Sequence, residues 1–164
     1  MKHIFYSCLL FITSNLMAQT SFEKLIDTNG TDAGYTTKVL ADGNFLIGFS
    51  TTSVGAGSSD IGLMKITPTG QTIWTKLFGG DDNDYPSMLL ETATGDILIL
   101  GMTHSFGAGD RDIYLLKTDA NGNLLWSKTY GNAALDRGFV IIPTLDGGYA
   151  IAGSSQFDYS VNYN

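Results

Sequence analysis

Apolar residues along this chain come in short runs, broken by glycine-rich or polar punctuation. Ile97-Leu98-Ile99-Leu100 is continuous and ends at Gly101. A run of that length is too short for a helix and suits a strand buried on both faces. Around it, Ser87 to Thr92 reads as a first short strand and Thr94-Gly95 as a turn. Ser105-Phe106-Gly107-Ala108-Gly109-Asp110 reads as a glycine-rich loop. Ile113 to Thr118 is then a third strand and Leu124 to Tyr130 a fourth. The last two flank Ala120-Asn121-Gly122, and Asn-Gly is the strongest short hairpin signal because both central residues need positive φ. No stretch carries a 3.6-residue apolar stripe long enough for a helix. The pattern predicts an all-β protein.

The same pattern is written almost three times. A shift of 52 residues aligns the chain with itself without a gap. Phe22, Trp74 and Trp126 superpose, as do Asp32, Asp84 and Asp136, and Gly43, Gly95 and Gly147. Gly55-Ala56-Gly57 falls on Gly107-Ala108-Gly109, Asp60 on Asp112, Lys65 on Lys117 and Gly70 on Gly122. Internal repetition at such a period marks arrays and propellers. Four short strands in a unit of this size predict about three four-stranded antiparallel, propeller-like blades, the first and last incomplete. A β-solenoid is the second choice, although its coils are usually shorter. The units run over 22–73, 74–125 and 126–164, inside a repeat domain at 20–164. Phe22 to Ile26 reads as a fourth strand with nothing before it. The third unit reads as two strands only, ending Gln156-Phe157-Asp158-Tyr159 and on to Asn164. Three outcomes fit such ends: a fragment of a longer propeller, a piece that closes a ring with other copies, or an open stack. The first is the favoured expectation, because the break falls inside a blade.

SFGAGDRDIYLLKTDANGNLLWSKTYG followed by TLDGGYAIAGSS resembles the repeat of secreted Bacteroidetes-type proteins with propeller-like blades. The resemblance covers roughly residues 22 to 156. It implies a propeller-like fold and export, and it implies no ligand.

The first residues carry an address. Met1-Lys2-His3 is a short positive region, Ile4 to Ile12 is apolar, and Leu16-Met17-Ala18-Gln19 fits a cleavage site after Ala18. Residues 1–19 thus read as a signal peptide, and the protein as secreted, periplasmic or at the cell surface. The apolar run is too short to span a bilayer. The single Cys, Cys8, lies inside this leader and too early for a lipid anchor. With 16 acids against 9 Lys+Arg the full chain has a net charge of −7. Removing Lys2 with the leader makes it −8. Such an acidic chain lacks the basic footprint that binds phosphate backbones, so nucleic acid is not an expected partner.

Most repeated residues have structural readings. Phe22, Trp74 and Trp126 recur at one strand position and suit packing between blades. Gly43, Gly95 and Gly147 suit turns. Asp32, Asp84 and Asp136 suit capping at the start of a strand. Asp60 and Asp112 suit satisfaction of the glycine-loop N–H groups, with Lys65 and Lys117 near these acids or in solvent. The loop Gly79-Gly80-Asp81-Asp82-Asn83-Asp84 is the metal candidate: Asp81, Asp82 and Asp84 offer oxygens to Ca²⁺, although a solvated loop is preferred because the other units lack this density of acids. No other cofactor is expected.

For catalysis the sequence offers His104 and the mid-strand Glu91, with no repeated Ser, His and Asp triad. The favoured function is a non-catalytic binding or display module for a glycan or protein partner. The alternative is a fragment of a propeller-type hydrolase acting on extracellular polysaccharide, using carboxylates at Asp81 to Asp84 with His104. Open blade edges also predict self-association, since unpaired strand edges template pairing.

Overall fold

The computed structural model describes residues 22–26 and 29–156. The leader read over residues 1–19 and the segment 157–164 lie outside the described residues. Among those described, the chain is all-β, with ten strands: β1 (Asp32–Val39), β2 (Phe45–Thr51), β3 (Asp60–Ile66), β4 (Thr72–Phe78), β5 (Asp84–Glu91), β6 (Ile97–Thr103), β7 (Asp112–Thr118), β8 (Leu124–Tyr130), β9 (Asp136–Pro143) and β10 (Tyr149–Ser155).

They form three antiparallel sheets in the orders β1-β2-β3-β4, β5-β6-β7-β8 and β9-β10. Each strand pairs with its chain neighbour because the connections are tight turns or short loops, and antiparallel strands need no more. The hydrogen-bonded sheet starts at the repeated Asp, not at the repeated aromatic. The first complete sheet is therefore Asp32 to Phe78, out of phase with the unit 22–73.

The middle sheet explains the continuous apolar run. Ile97 and Ile99 face the first sheet, in a cluster with Leu46, Ile61, Leu63, Tyr114 and Leu116. Leu98 and Leu100 face the third, in a cluster with Leu115 and Ile141. Successive side chains of a strand point to opposite faces, so a strand covered on both sides must be apolar throughout. All four residues are essentially inaccessible, each burial contributing about 2 kcal/mol.

Departures from ideal strands repeat with the units. The register slips between Gly34 and Thr36, between Pro86 and Met88, and opposite Ala152–Gly153. Tyr35, Ser87 and Phe139 are the extra residues, and the two aromatics among them are about half exposed. A bulge frees its extra residue from the ladder and increases the local twist.

Two expectations need correction. Phe22 to Ile26 is not a strand. No third strand stands beside it among the described residues, so its backbone has no ladder to join. Side chains hold it instead: the Phe22 ring lies 6.0 Å from that of Phe45, and Lys24 Nζ donates to Thr72 Oγ1 at 2.9 Å. Nor do Lys65 and Lys117 serve the glycine-loop acids. They pair with the turn acids Asp42 and Asp96, at 2.7 and 2.8 Å.

Candidate functional site

The candidate acids collect where one sheet passes the chain to the next. Residues 79–83 lead from β4 to β5, and residues 131–135 from β8 to β9. Backbone bonds stitch these links to the preceding sheet. Asp84 N–H donates to Ser59 O and Asp136 N–H to Arg111 O, both at 2.7 Å.

At the first junction Asp60, the first residue of β3, meets Asp84, the first residue of β5. Both carboxylates close on the point where a Cβ on Gly79 would stand. At the second junction Asp112 and Asp136 do the same at Gly131. All four side chains are buried. A residue larger than glycine at 79 or 131 has no room.

Their oxygens are engaged by the main chain. Asp60 Oδ2 accepts from Gly57 N–H at 3.4 Å and Asp112 Oδ2 from Gly109 N–H at 2.9 Å, each within its own glycine loop. Asp84 Oδ2 accepts from Gly80 N–H at 2.9 Å and from Ser105 Oγ–H at 2.7 Å. Asp136 Oδ2 accepts from Asn132 N–H at 2.8 Å. Loop N–H groups that no ladder can satisfy thus find side-chain acceptors. Asp84 Oδ1 is buried without a hydrogen-bond partner.

The structure does not bring the calcium candidates together. Asp84 turns inward, while Asp81 and Asp82 are exposed. Asp82 Oδ1 accepts from the N–H and the side-chain amide of Asn83, at 2.8 and 2.9 Å. Among the described residues, no three His, Cys, Asp or Glu side chains converge on a point that could hold a metal ion.

His104 and Glu91 lie apart. His104 follows β6, and its backbone N–H donates to Asn83 O at 2.9 Å. It therefore sits at the end where Thr103 pairs with Asp84, whereas Glu91 pairs with Ile97 at the other end of the same two strands. The seven residues of β6 set the two ends about 20 Å apart at the usual rise per residue. Glu91 Oε2 accepts from Ala41 N–H at 2.8 Å, tying β5 to the first hairpin turn.

The turns carry most of the shifted acids. Lys65, with help from the Asn44 N–H, lowers Asp42 to about 2. Lys117 lowers Asp96, the Asn123 N–H lowers Asp119, and the Thr144 hydroxyl lowers Asp146. Desolvation lowers Arg111, which follows the second glycine loop, and raises Tyr114.

The repeated aromatics join neighbouring units. Trp74 packs against the first core cluster and over Gly122, and Phe22 over Gly70. Trp126 packs against the second cluster and borders an open groove with Tyr149 and Ile151. Gly43, Gly95 and Gly147 hold left-handed turn positions. Sequence reasoning missed Ser105, whose hydroxyl joins the second glycine loop to Asp84.

No family model matches this chain, and a search of curated proteins gives no match. Among solved structures, a protein of unknown function from Bacteroides caccae aligns at 16% identity with a TM-score of 0.47. The alignment covers 74% of this chain and 38% of that one.

Proposed function

We propose that this chain is an exported, non-catalytic module of propeller-like repeats that binds or displays, for a glycan or protein partner. One observation carries the reading: the repeated buried acids act as acceptors for loop N–H groups, so their chemistry is used within the fold. The hydrolase alternative keeps His104 beside Asn83 and Asp84 at one end of the β5–β6 pair, so the test below is aimed at His104. The propeller-like arrangement is supported by the contacts of β1 with β5 and of β5 with β9. The first strand of each later sheet thus packs across the first three strands of the sheet before it, β5 on β1, β2 and β3, and β9 on β5, β6 and β7.

The test is a screen of the purified protein on polysaccharide and ester substrates, beside a glycan array. Binding without turnover is expected. Turnover abolished by His104→Ala would replace this reading with the hydrolase one. Export has its own measurement: N-terminal mass spectrometry of the secreted form should begin at Gln19 or Thr20, and a form that begins at Met1 refutes it.

A further inference from the structure

We propose that the cavity between the β5–β6 turn and the β9–β10 turn binds a uronic acid residue of a glycan. The ligand's carboxylate accepts the Ala93 N–H there, as the Glu91 carboxylate accepts the Ala41 N–H one repeat earlier. The inference rests on the binding reading above and names a ligand class for it.

Ala41 and Ala93 hold the same place in the same turn. Gly43 and Gly95 both have a φ of +82°. Gly43 N–H donates to Leu40 O at 2.9 Å, and Gly95 N–H to Thr92 O at 3.0 Å. In each turn the alanine N–H is left over and points the same way. At the first turn Glu91, reaching across from β5, accepts it at 2.8 Å. The shift of 52 residues puts Pro143 in the place of Glu91. A proline side chain has no acceptor. Among the described residues, no acceptor meets the Ala93 N–H.

Space accompanies the missing carboxylate. Leu40 is buried in the first core cluster, and its counterpart Thr92 is smaller and polar. Thr92, Ala93, Lys117, Pro143 and Thr144 are among the walls of a cavity of about 460 Å³. It lies at the Pro143–Tyr149 end of the β9–β10 pair, opposite the end where Asp136 meets Ser155. The surrounding charges match those of the filled copy. Lys65 pairs with Asp42 at 2.7 Å beside Ala41, and Lys117 with Asp96 at 2.8 Å beside Ala93. Surroundings of the kind that hold the Glu91 carboxylate are thus present without one.

The hydroxyls distinguish the ligand from an acidic peptide. Thr94 Oγ1 donates to Asp96 Oδ2 at 3.1 Å, so in its 3.0 Å bond with Thr92 the donor is Thr92. The Thr144 hydroxyl likewise donates to Asp146. The Thr92 and Thr144 oxygens therefore keep lone pairs for incoming hydroxyl groups. A uronic acid carries a carboxylate and several hydroxyls on one ring. An acidic side chain carries the carboxylate alone.

The probe is trigalacturonate, titrated calorimetrically into the whole chain, with neutral galactotriose and a glutamate-containing tripeptide as comparators. Saturable binding of trigalacturonate alone is expected, and in NMR spectra it should move the Ala93 amide resonance more than that of Ala41. Pro143→Glu supplies the missing carboxylate from within. It should weaken trigalacturonate binding by about tenfold or more, as the loss of a charge-assisted hydrogen bond does, and should slow hydrogen exchange at Ala93. Pro143→Ala should leave binding intact. Equal binding of galactotriose, preference for the tripeptide, or a folded Pro143→Glu variant that binds like the parent overturns the proposal. Should that variant not fold, an Ala93 resonance unmoved by trigalacturonate overturns it. So does an Ala93 N–H that exchanges as slowly as that of Ala41 in the free chain, because the chain itself then supplies its acceptor. Binding of other glycans without trigalacturonate refutes this ligand and leaves the binding reading standing, whereas the absence of any glycan or protein ligand refutes both.

Discussion

Phe49 stands over Gly62, its partner across the β2–β3 pair, and the nearest atoms to the Cβ position of Gly62 are all carbons of that ring. The second sheet inverts the arrangement: Gly101 on β6 faces Tyr114 on β7. One ring fills the site, supplied from either strand. Phe49→Ala should cost about 3–5 kcal/mol, as truncations of buried Phe do. Gly62→Tyr alone should be similarly harmful, because two rings would compete for one site. The double variant Phe49→Gly, Gly62→Tyr copies the second sheet and should recover most of the loss. Urea unfolding measures all three. A double variant no more stable than the worse single would show that the strands are not exchangeable in this role.

Asp84 holds two donors at once, the Gly80 N–H and the Ser105 hydroxyl. Asp84→Ala leaves both without an acceptor in a buried place and should cost about 2–4 kcal/mol. Ser105→Ala should cost about 1 kcal/mol, the worth of an ordinary hydrogen bond. Because the two side chains share a bond, the loss from Ser105→Ala should shrink in the Asp84→Ala background. Strict additivity of the two unfolding free energies would deny the coupling.

Acid should weaken the fold through its turns. Lys65 lies 2.7 Å from Asp42 and lowers that carboxyl from its usual 3.8 to about 2, and Lys117 lowers Asp96 in the same way. As pH falls, the unfolded chain takes up these protons first. The stabilisation is whole above about pH 4 and is lost progressively as pH drops towards the folded-state value. The melting temperature should therefore fall steeply across that window. Lys65→Met should flatten part of the fall. The Asp42 carboxylate is about half exposed, so the effect should be modest and should shrink in high salt. A Lys65→Met profile parallel to that of the parent protein would remove this pair from the explanation.

The second sheet was readable from pattern because local rules suffice there. Ile97 to Leu100 is apolar throughout and is buried on both sides, and the hairpin falls at Asn121-Gly122. Only Gly122 takes positive φ, where the dipeptide predicted it for both residues, because the turn closes from Gly122 N–H to Asp119 O with Ala120 and Asn121 as its central residues. The glycine loops and their capping acids were readable for the same reason, since Asp112 and Gly109 are close neighbours in sequence. Partnerships set by register were not readable. Lys65 meets Asp42 because pairing places Leu46 opposite Lys65, and nothing local distinguishes that acid from Asp60. The bulges at Tyr35 and Phe139 break the twofold alternation on which strand reading depends. Phe22 to Ile26 has the residues of a fourth strand, yet a strand is made by its neighbour as much as by its own side chains.

Gly95 and Gly122 separate backbone strain from packing. Their φ angles are +82° and +76°. Each donates its N–H at 3.0 Å to the carbonyl three residues back, on Thr92 and Asp119. Their surroundings differ. A Cβ on Gly95 would meet nothing within 4 Å, whereas one on Gly122 would stand 2.9 and 3.0 Å from the Trp74 ring and 2.8 Å from Lys76 Cγ, both on the preceding sheet. Gly95→Ala should therefore cost only the left-handed backbone penalty, about 1 kcal/mol. Gly122→Ala carries that penalty and must also displace Trp74 from the first core cluster, an overpacking that should add at least about 1 kcal/mol. The excess should shrink when both glycine variants are remade in a Trp74→Ala background, because the ring is then gone and only the Lys76 side chain still has to give way. Four unfolding curves per glycine site complete the cycle. Equal costs at the two turns in the parent protein would mean that the ring is not pressed on the next unit's turn, and the role assigned to the repeated aromatics as joints between units would fail.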